Sequence, residues 1–191
     1  MKKKGILIAI VVIVAVIAVV AIALISSYNG LIDKEEAINT ARATISVQLQ
    51  RRANLIPNFV STVKGYSEYE KSTYTAVVEA RSKVTMASGV QEQAKANAEL
   101  NHAVDVWVNA VTEAYPELKA DQQYIALQDE LASTENRIAI ARKDYNDAAQ
   151  DYNKTVRRFP GSIAAGLFGF EQVEYFAADE SAYNVPTVDF S

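Results

Sequence analysis

The chain's only histidine, His102, stands three residues after Glu99. Glu-x-x-His is the spacing that sets two metal ligands on one helix face in di-iron bundles. Such a centre also needs a second copy of the motif and two further glutamates, and a single histidine cannot supply them. The pair therefore reads as a helix-surface histidine beside a carboxylate, with no metal and no cofactor expected. The absence of cysteine removes disulfides, thiol nucleophiles and zinc–thiolate sites. No serine or lysine carries a recognisable local signature for borrowing His102 as a base. No glycine-rich phosphate loop is present. Carboxylate pairs such as Glu35 and Glu36 read as solvated faces. With no catalytic constellation, the expectation is a protein without enzymatic activity.

The polar residues that do cluster lie around a proline. Gln48, Arg51, Arg52, Asn54 and Asn58 gather about Pro57. One reading is a hinge or a partner-binding segment. The other is that these side chains satisfy backbone groups freed by a proline kink, because a buried orphan group costs about 1–3 kcal/mol. That energetic argument favours the second reading. Glu70 and Arg81 fall on an otherwise apolar stripe. They read as partly buried charges, paired across to Glu135, Arg137 or Arg142, and a buried pair can fix helix register. Tyr145, Tyr152 and Phe159, spaced by seven, read as core. Asn153-Lys154-Thr155 matches a glycosylation triplet, but within a helical pattern it is a chance match.

These residues need helices to position them. Residues 5–25 contain no charge and are nearly all Ile, Val, Leu or Ala. At about 1.5 Å per residue that run spans roughly 30 Å, the hydrocarbon thickness of a bilayer. It is longer than a signal-peptide core and lacks a small-x-small cleavage site, so it reads as an uncleaved anchor. Lys2, Lys3 and Lys4 precede it and predict a cytoplasmic N-terminus, with the domain outside the cytoplasm.

The apolar periodicity of the rest predicts four helices. The first runs over 28–56 on a seam of Leu31, Ile38, Ala41, Ile45, Leu49, Arg52 and Ile56, continuing out of the anchor past the weak breaker Asn29-Gly30. Pro57 is expected to break or kink it and to open a second helix reaching about residue 87. A third covers 90–114, with Leu100, Ala103, Trp107, Val111 and Ala114 on one stripe. The fourth carries an unbroken three–four repeat from Tyr124 through Leu131, Ile138 and Tyr145 to Phe159, the period of a shallow-angle bundle. A short helical turn near 163–167 and extended chain laid on the bundle follow. The expected domains are therefore an anchor (1–27), a four-helix bundle (28–160) and an aromatic tail (161–191).

Several stretches are specific rather than generic. They include Tyr28-Asn29-Gly30-Leu31, Gln48-Leu49-Gln50-Arg51-Arg52-Ala53-Asn54-Leu55-Ile56-Pro57-Asn58, Val63-Lys64-Gly65-Tyr66 and Glu79-Ala80-Arg81. Glu113-Ala114-Tyr115-Pro116-Glu117-Leu118, Thr134-Glu135-Asn136-Arg137-Ile138, Ala141-Arg142-Lys143-Asp144-Tyr145-Asn146, Phe168-Gly169-Phe170 and Pro186-x-Val188-x-Phe190 follow in order. In this order they resemble the bacterial LemA family over nearly the whole chain, anchor included. The resemblance implies a single-pass membrane protein with an antiparallel four-helix bundle and no assigned enzymatic activity. One departure is Asn54, where such families often carry an acidic residue after the Arg-Arg-Ala triplet.

Without the three lysines, 16 basic and 23 acidic residues leave the domain near −7. That excludes a nucleic-acid partner, which requires a basic face, and argues against docking onto anionic lipid. The expected partners are membrane lipid along residues 5–25 and an unidentified protein. Self-assembly as a homo-oligomer is one alternative. A small-ligand receptor using the aromatic tail as a lid is another, and it requires a concave apolar pocket.

Overall fold

The structure is a computed structural model that describes residues 2–64 and 71–177. It is all-helical there: α1 (Lys2–Lys64), α2 (Lys71–Met86), α3 (Val90–Ala114), a 3-10 turn (Pro116–Ala120), α4 (Gln122–Arg157) and α5 (Gly161–Phe168). Among the described residues there is no strand.

Helix α1 is uninterrupted over 63 residues. Residues 5–23 are exposed on every face, with Ile6 at 61 % and Val19 at 67 %. It is the one described helix long and apolar enough to cross a membrane. Past Tyr28 the same helix becomes one-sided. Leu31, Ile38, Ile45, Leu49, Arg52 and Ile56 are buried, as their spacing predicts, and Phe59, Val60 and Val63 extend the seam.

The expected break at Pro57 does not occur. Pro57 lies inside α1, which continues to Lys64. A proline removes the N–H that would bond the carbonyl four residues back, here that of Ala53. Helix α2 replaces that donor: Arg81 Nε donates to the Ala53 carbonyl oxygen at 2.7 Å. The helix α2 begins later than expected for the same reason, since 56–64 remain part of α1. Ser67, Glu70 and the tail from 178 onward, including Tyr183 and Phe190, lie outside the described residues.

Helix α3 keeps its predicted bounds, but its buried stripe is Gln93, Ala96, Asn97, Leu100, Val104, Trp107 and Val111. Ala114, expected on that stripe, is exposed at the helix end. Glu92 accepts from the Ser88 backbone N–H at 3.0 Å and secures the helix start. Asp121 caps α4, its Oδ1 accepting from the N–H groups of Gln123 and Tyr124 at 2.8 and 2.9 Å. Along α4, Tyr124, Leu131, Thr134, Ile138, Ala141, Tyr145 and Tyr152 are buried. Phe159 is not: α4 ends at Arg157, and its ring is 80 % exposed.

The chain divides into two compact units. The first comprises Met1–Thr40 and Asn146–Glu174. Its centre holds Leu31, Ile38, Ala149, Tyr152, Ala164 and Ala165. Asn153 ties down the chain after α5, donating to the Val173 carbonyl and accepting from the Val173 N–H, both at 2.9 Å. Both the nitrogen and the oxygen of its buried amide are thereby engaged. The second unit comprises Ala41–Tyr145 and Tyr175–Ser191. Its centre is aromatic, with Phe59 stacked on Tyr124 and edge-on to Trp107, both at 5.3 Å between centroids. Phe176, from the tail, is buried edge-on to Tyr145 at 5.0 Å.

Candidate interaction site around Pro57

The polar residues singled out around Pro57 divide by face, because a 3.6-residue helix cannot turn five neighbours the same way. Arg52 points inward and is 5 % exposed. Gln48 lies beside it, half-buried, with its Oε1 enclosed. Arg51, Asn54, Pro57 and Asn58 are exposed. Arg51, Asn54 and Asn58 follow one another by three and four, so they share a stripe. At its edge Arg51 pairs with Glu130 of α4.

The inward group forms a charged layer. Arg52 Nη1 donates to Glu135 Oε2 of α4 in a salt bridge. From α3, Asn101 Nδ2 donates to Glu135 Oε1 at 3.1 Å, and Asn97 Nδ2 makes a longer approach to Oε2 at 3.4 Å. Thr134 Oγ1 turns back onto the Glu130 carbonyl at 2.7 Å. Burial lowers the Arg52 pKa from its usual value, and the Glu135 carboxylate opposes that shift. Arg52 Nε and the side-chain oxygens of Gln48, Asn97 and Asn101 are buried without a partner among the described residues. A partly satisfied polar layer of this kind does not stabilise a core as apolar packing would.

Arg81 was expected to pair with the fourth helix. It reaches α1 instead, through the Ala53 carbonyl, and Arg52 is the cation that Glu135 meets. Glu70, its expected companion, lies outside the described residues. The side chains near Pro57 do not repair the helix; Arg81, 28 positions downstream of Ala53, does. The sequence carried a signal for this that went unread: the proline rule points at Ala53 specifically. Asn97 and Asn101, four apart on α3, likewise mark a polar stripe aimed at one partner.

Glu99 and His102 do not converge on anything. Glu99 pairs with Lys83 at 2.6 Å, and His102 is exposed. That hydrogen bond raises the Lys83 pKa and lowers that of Glu99. Among the described residues no group of three or more His, Cys, Asp or Glu side chains is placed to hold a metal ion.

Together these features define a class: a membrane-associated, all-helical protein built around one long helix that carries both an apolar span and half of a polar-layered core. The chain belongs to the LemA family, whose sequence model matches residues 41–190. The magnetosome protein MamQ 2 of Paramagnetospirillum magneticum is 27 % identical over 179 residues, covering 80 % of this chain and 65 % of the relative. The magnetosome protein MamQ of Magnetospirillum gryphiswaldense is 26 % identical over 178 residues with the same coverage. Protein LemA of Metamycoplasma hominis is 25 % identical over 155 residues, covering 80 % of this chain and 69 % of that protein. The chain thus spans about two thirds of the length of these relatives, 65 % for both MamQ proteins.

Proposed function

We propose that this protein is a non-enzymatic, single-pass membrane module that holds an antiparallel four-helix bundle outside the cytoplasm and offers it to a protein partner. The observation that carries this reading is α1 itself. One continuous helix bears the exposed apolar span over 5–25 and, further along, the exposed stripe of Arg51, Asn54, Pro57 and Asn58. The bundle assignment is supported by pairings that run oppositely in sequence. On α1, Arg42 meets Ser88 and Ala53 meets Arg81, while Arg52 meets Glu135 and Phe59 meets Tyr124. The orientation is supported by Lys2, Lys3 and Lys4 before the span.

Two measurements test it. The chain has no cysteine, so single cysteines label uniquely. A cysteine at Asn39 should react with a membrane-impermeant maleimide in intact cells, and one at Lys3 only after lysis; the reverse pattern overturns the orientation. A photocrosslinking residue at Asn54 or Asn58 should capture one discrete heterologous protein in membranes, and one at Asn39 should not. Capture of a second copy of the chain would replace the partner reading with self-assembly.

A further inference from the structure

Helix α5 is short, apolar and largely uncovered. From Phe159 to Phe170 there is no charged residue. Ala164 and Ala165 are buried, whereas Ile163, Leu167 and Phe168 are 47, 65 and 57 % exposed. Ile163 and Leu167, four apart, share a helix face, and the exposed Phe159 ring precedes them. An apolar surface of this density is not a neutral feature of a protein in water.

Its level along α1 says what covers it. The Tyr28 ring packs edge-on against Phe168 and Phe170, at 4.8 and 5.7 Å between centroids. The start of α5 lies at the same level, since Phe159, Pro160 and Gly161 share a groove with Ser26, Ser27 and Gly30. Both ends of α5 are therefore held beside positions 26–30 of α1. The apolar span ends at Ile25, so these positions stand only about 1.5–7.5 Å beyond it at 1.5 Å per residue. The polar headgroup layer on each side of a bilayer is roughly 5–7 Å thick. The same groove is lined by Lys34, Lys154 and Arg158, with Asp151 beside them. Lysine and arginine next to an exposed apolar helix, with a tyrosine at the same depth, is the composition of an interfacial element.

The seating of α5 is built in rather than incidental. A Cβ on Gly161 would collide with the Thr155 carbonyl, so only glycine lets the chain turn this tightly off α4. Gly169 closes the helix at φ 78°, a left-handed conformation that glycine adopts without strain.

We propose that α5 lies in the membrane interface beside the emerging α1, with Ile163, Leu167, Phe168 and Phe159 in the acyl–headgroup boundary, giving the protein a second contact with the lipid bilayer. This rests on the reading of residues 5–25 as a membrane span, and the test separates the two. Nitroxide labels on single cysteines at Ile13, Asn39, Ile163 and Leu167 of the full chain are compared in phosphatidylcholine–phosphatidylglycerol vesicles. Relative accessibility to dissolved oxygen and to a water-soluble nickel chelate reports depth. Ile13 should be oxygen-favoured and Asn39 nickel-favoured. Ile163 and Leu167 should be oxygen-favoured, with a ratio several-fold above that of Asn39. If both match Asn39 while Ile13 remains oxygen-favoured, α5 is not interfacial and the proposal falls alone. A nickel-favoured Ile13 overturns the span and the proposal together. Circular dichroism of each labelled chain confirms that the helix content is kept.

Discussion

Around Phe59 the core of the second unit is aromatic, with Tyr124 stacked on one face and Trp107 edge-on. Seven residues earlier on α1, two helical turns or about 10 Å away, Arg52 sits equally buried but faces Glu135, Asn97 and Asn101. The same three helices build both layers with opposite chemistry. The aromatic layer gains by removing apolar area from water and by ring contacts worth about 0.5–1.5 kcal/mol per pair beyond that. The charged layer must first desolvate Arg52, and several of its polar atoms stay unmatched among the described residues. Apolar packing tolerates small slips between helices, whereas a salt bridge joined by two asparagines is met at one register. The contrast predicts that the aromatic layer supplies stability and that the charged layer decides alignment.

Phe59→Ala attacks the first layer and should cost about 4 kcal/mol, the usual loss for a fully buried phenylalanine, measured by urea unfolding of the full chain in detergent micelles. Glu135→Ala attacks the second. It leaves Arg52 charged and unpaired, and should cost about 2 kcal/mol, below the value for fully buried pairs because the Glu135 side chain is 35 % exposed. The double replacement Arg52→Met with Glu135→Gln removes both charges, keeps an acceptor for Asn97 and Asn101, and should return to within about 1 kcal/mol of the parent. A double variant as unstable as the single one would mean that the layer stabilises after all, and the contrast would collapse.

The repair of Pro57 gives a smaller effect with a sharper signature. Arg81→Ala should cost about 1.5 kcal/mol by leaving the Ala53 carbonyl unsatisfied. In the Pro57→Ala background the backbone N–H returns, and the same change should cost well under half as much. Equal losses in both backgrounds would disconnect Arg81 from the proline. Asp121→Ala, at the α4 start beside the aromatic layer but remote from the charged one, should cost about 1 kcal/mol as a lost cap, with no coupling to Glu135→Ala.

Smallest is the pH effect at the α3 start. Hydrogen bonds from the Ser88 and Gly89 N–H groups hold the Glu92 carboxyl below its ordinary pKa. A depressed carboxyl contributes stability above its unfolded pKa and loses it as pH falls through the folded value. Glu92→Gln should therefore lower the neutral plateau slightly and flatten the acid limb, the two profiles converging toward pH 3, as read by thermal melts between pH 3 and 7.

Much of this arrangement was legible before any coordinates. The apolar run, the seams Leu31–Ile38–Ile45–Leu49–Ile56 and Tyr124–Leu131–Ile138–Tyr145–Tyr152, the bounds of α3 and the short helix after Pro160 all follow from local periodicity and breakers. The LemA-family resemblance was carried by motifs spread along the whole chain. Where the local rule failed at Pro57, a distant residue had intervened. Pro57 reads as a break because a proline deletes a helical donor, yet Arg81 supplies one from another helix. Phe159 fits a seven-residue repeat, yet the helix ends two residues before it and the ring turns outward. Within the polar cluster, the seam turned Arg52 inward, but sequence could not say which partner it would meet there.

What the sequence determined by itself was the set of helices, because a 3.6-residue period and a charge-free run are properties of neighbouring residues alone. What only the tertiary structure decided was which groups meet: Arg52 with Glu135, Arg81 with the Ala53 carbonyl, Tyr28 with the C-terminal end of α5 and the ring just beyond it. Those pairings span up to 142 positions, from Tyr28 to Phe170. They depend on helix rotation and register, which are fixed only when separate segments close on one another and each buried polar group must find a partner within hydrogen-bond reach.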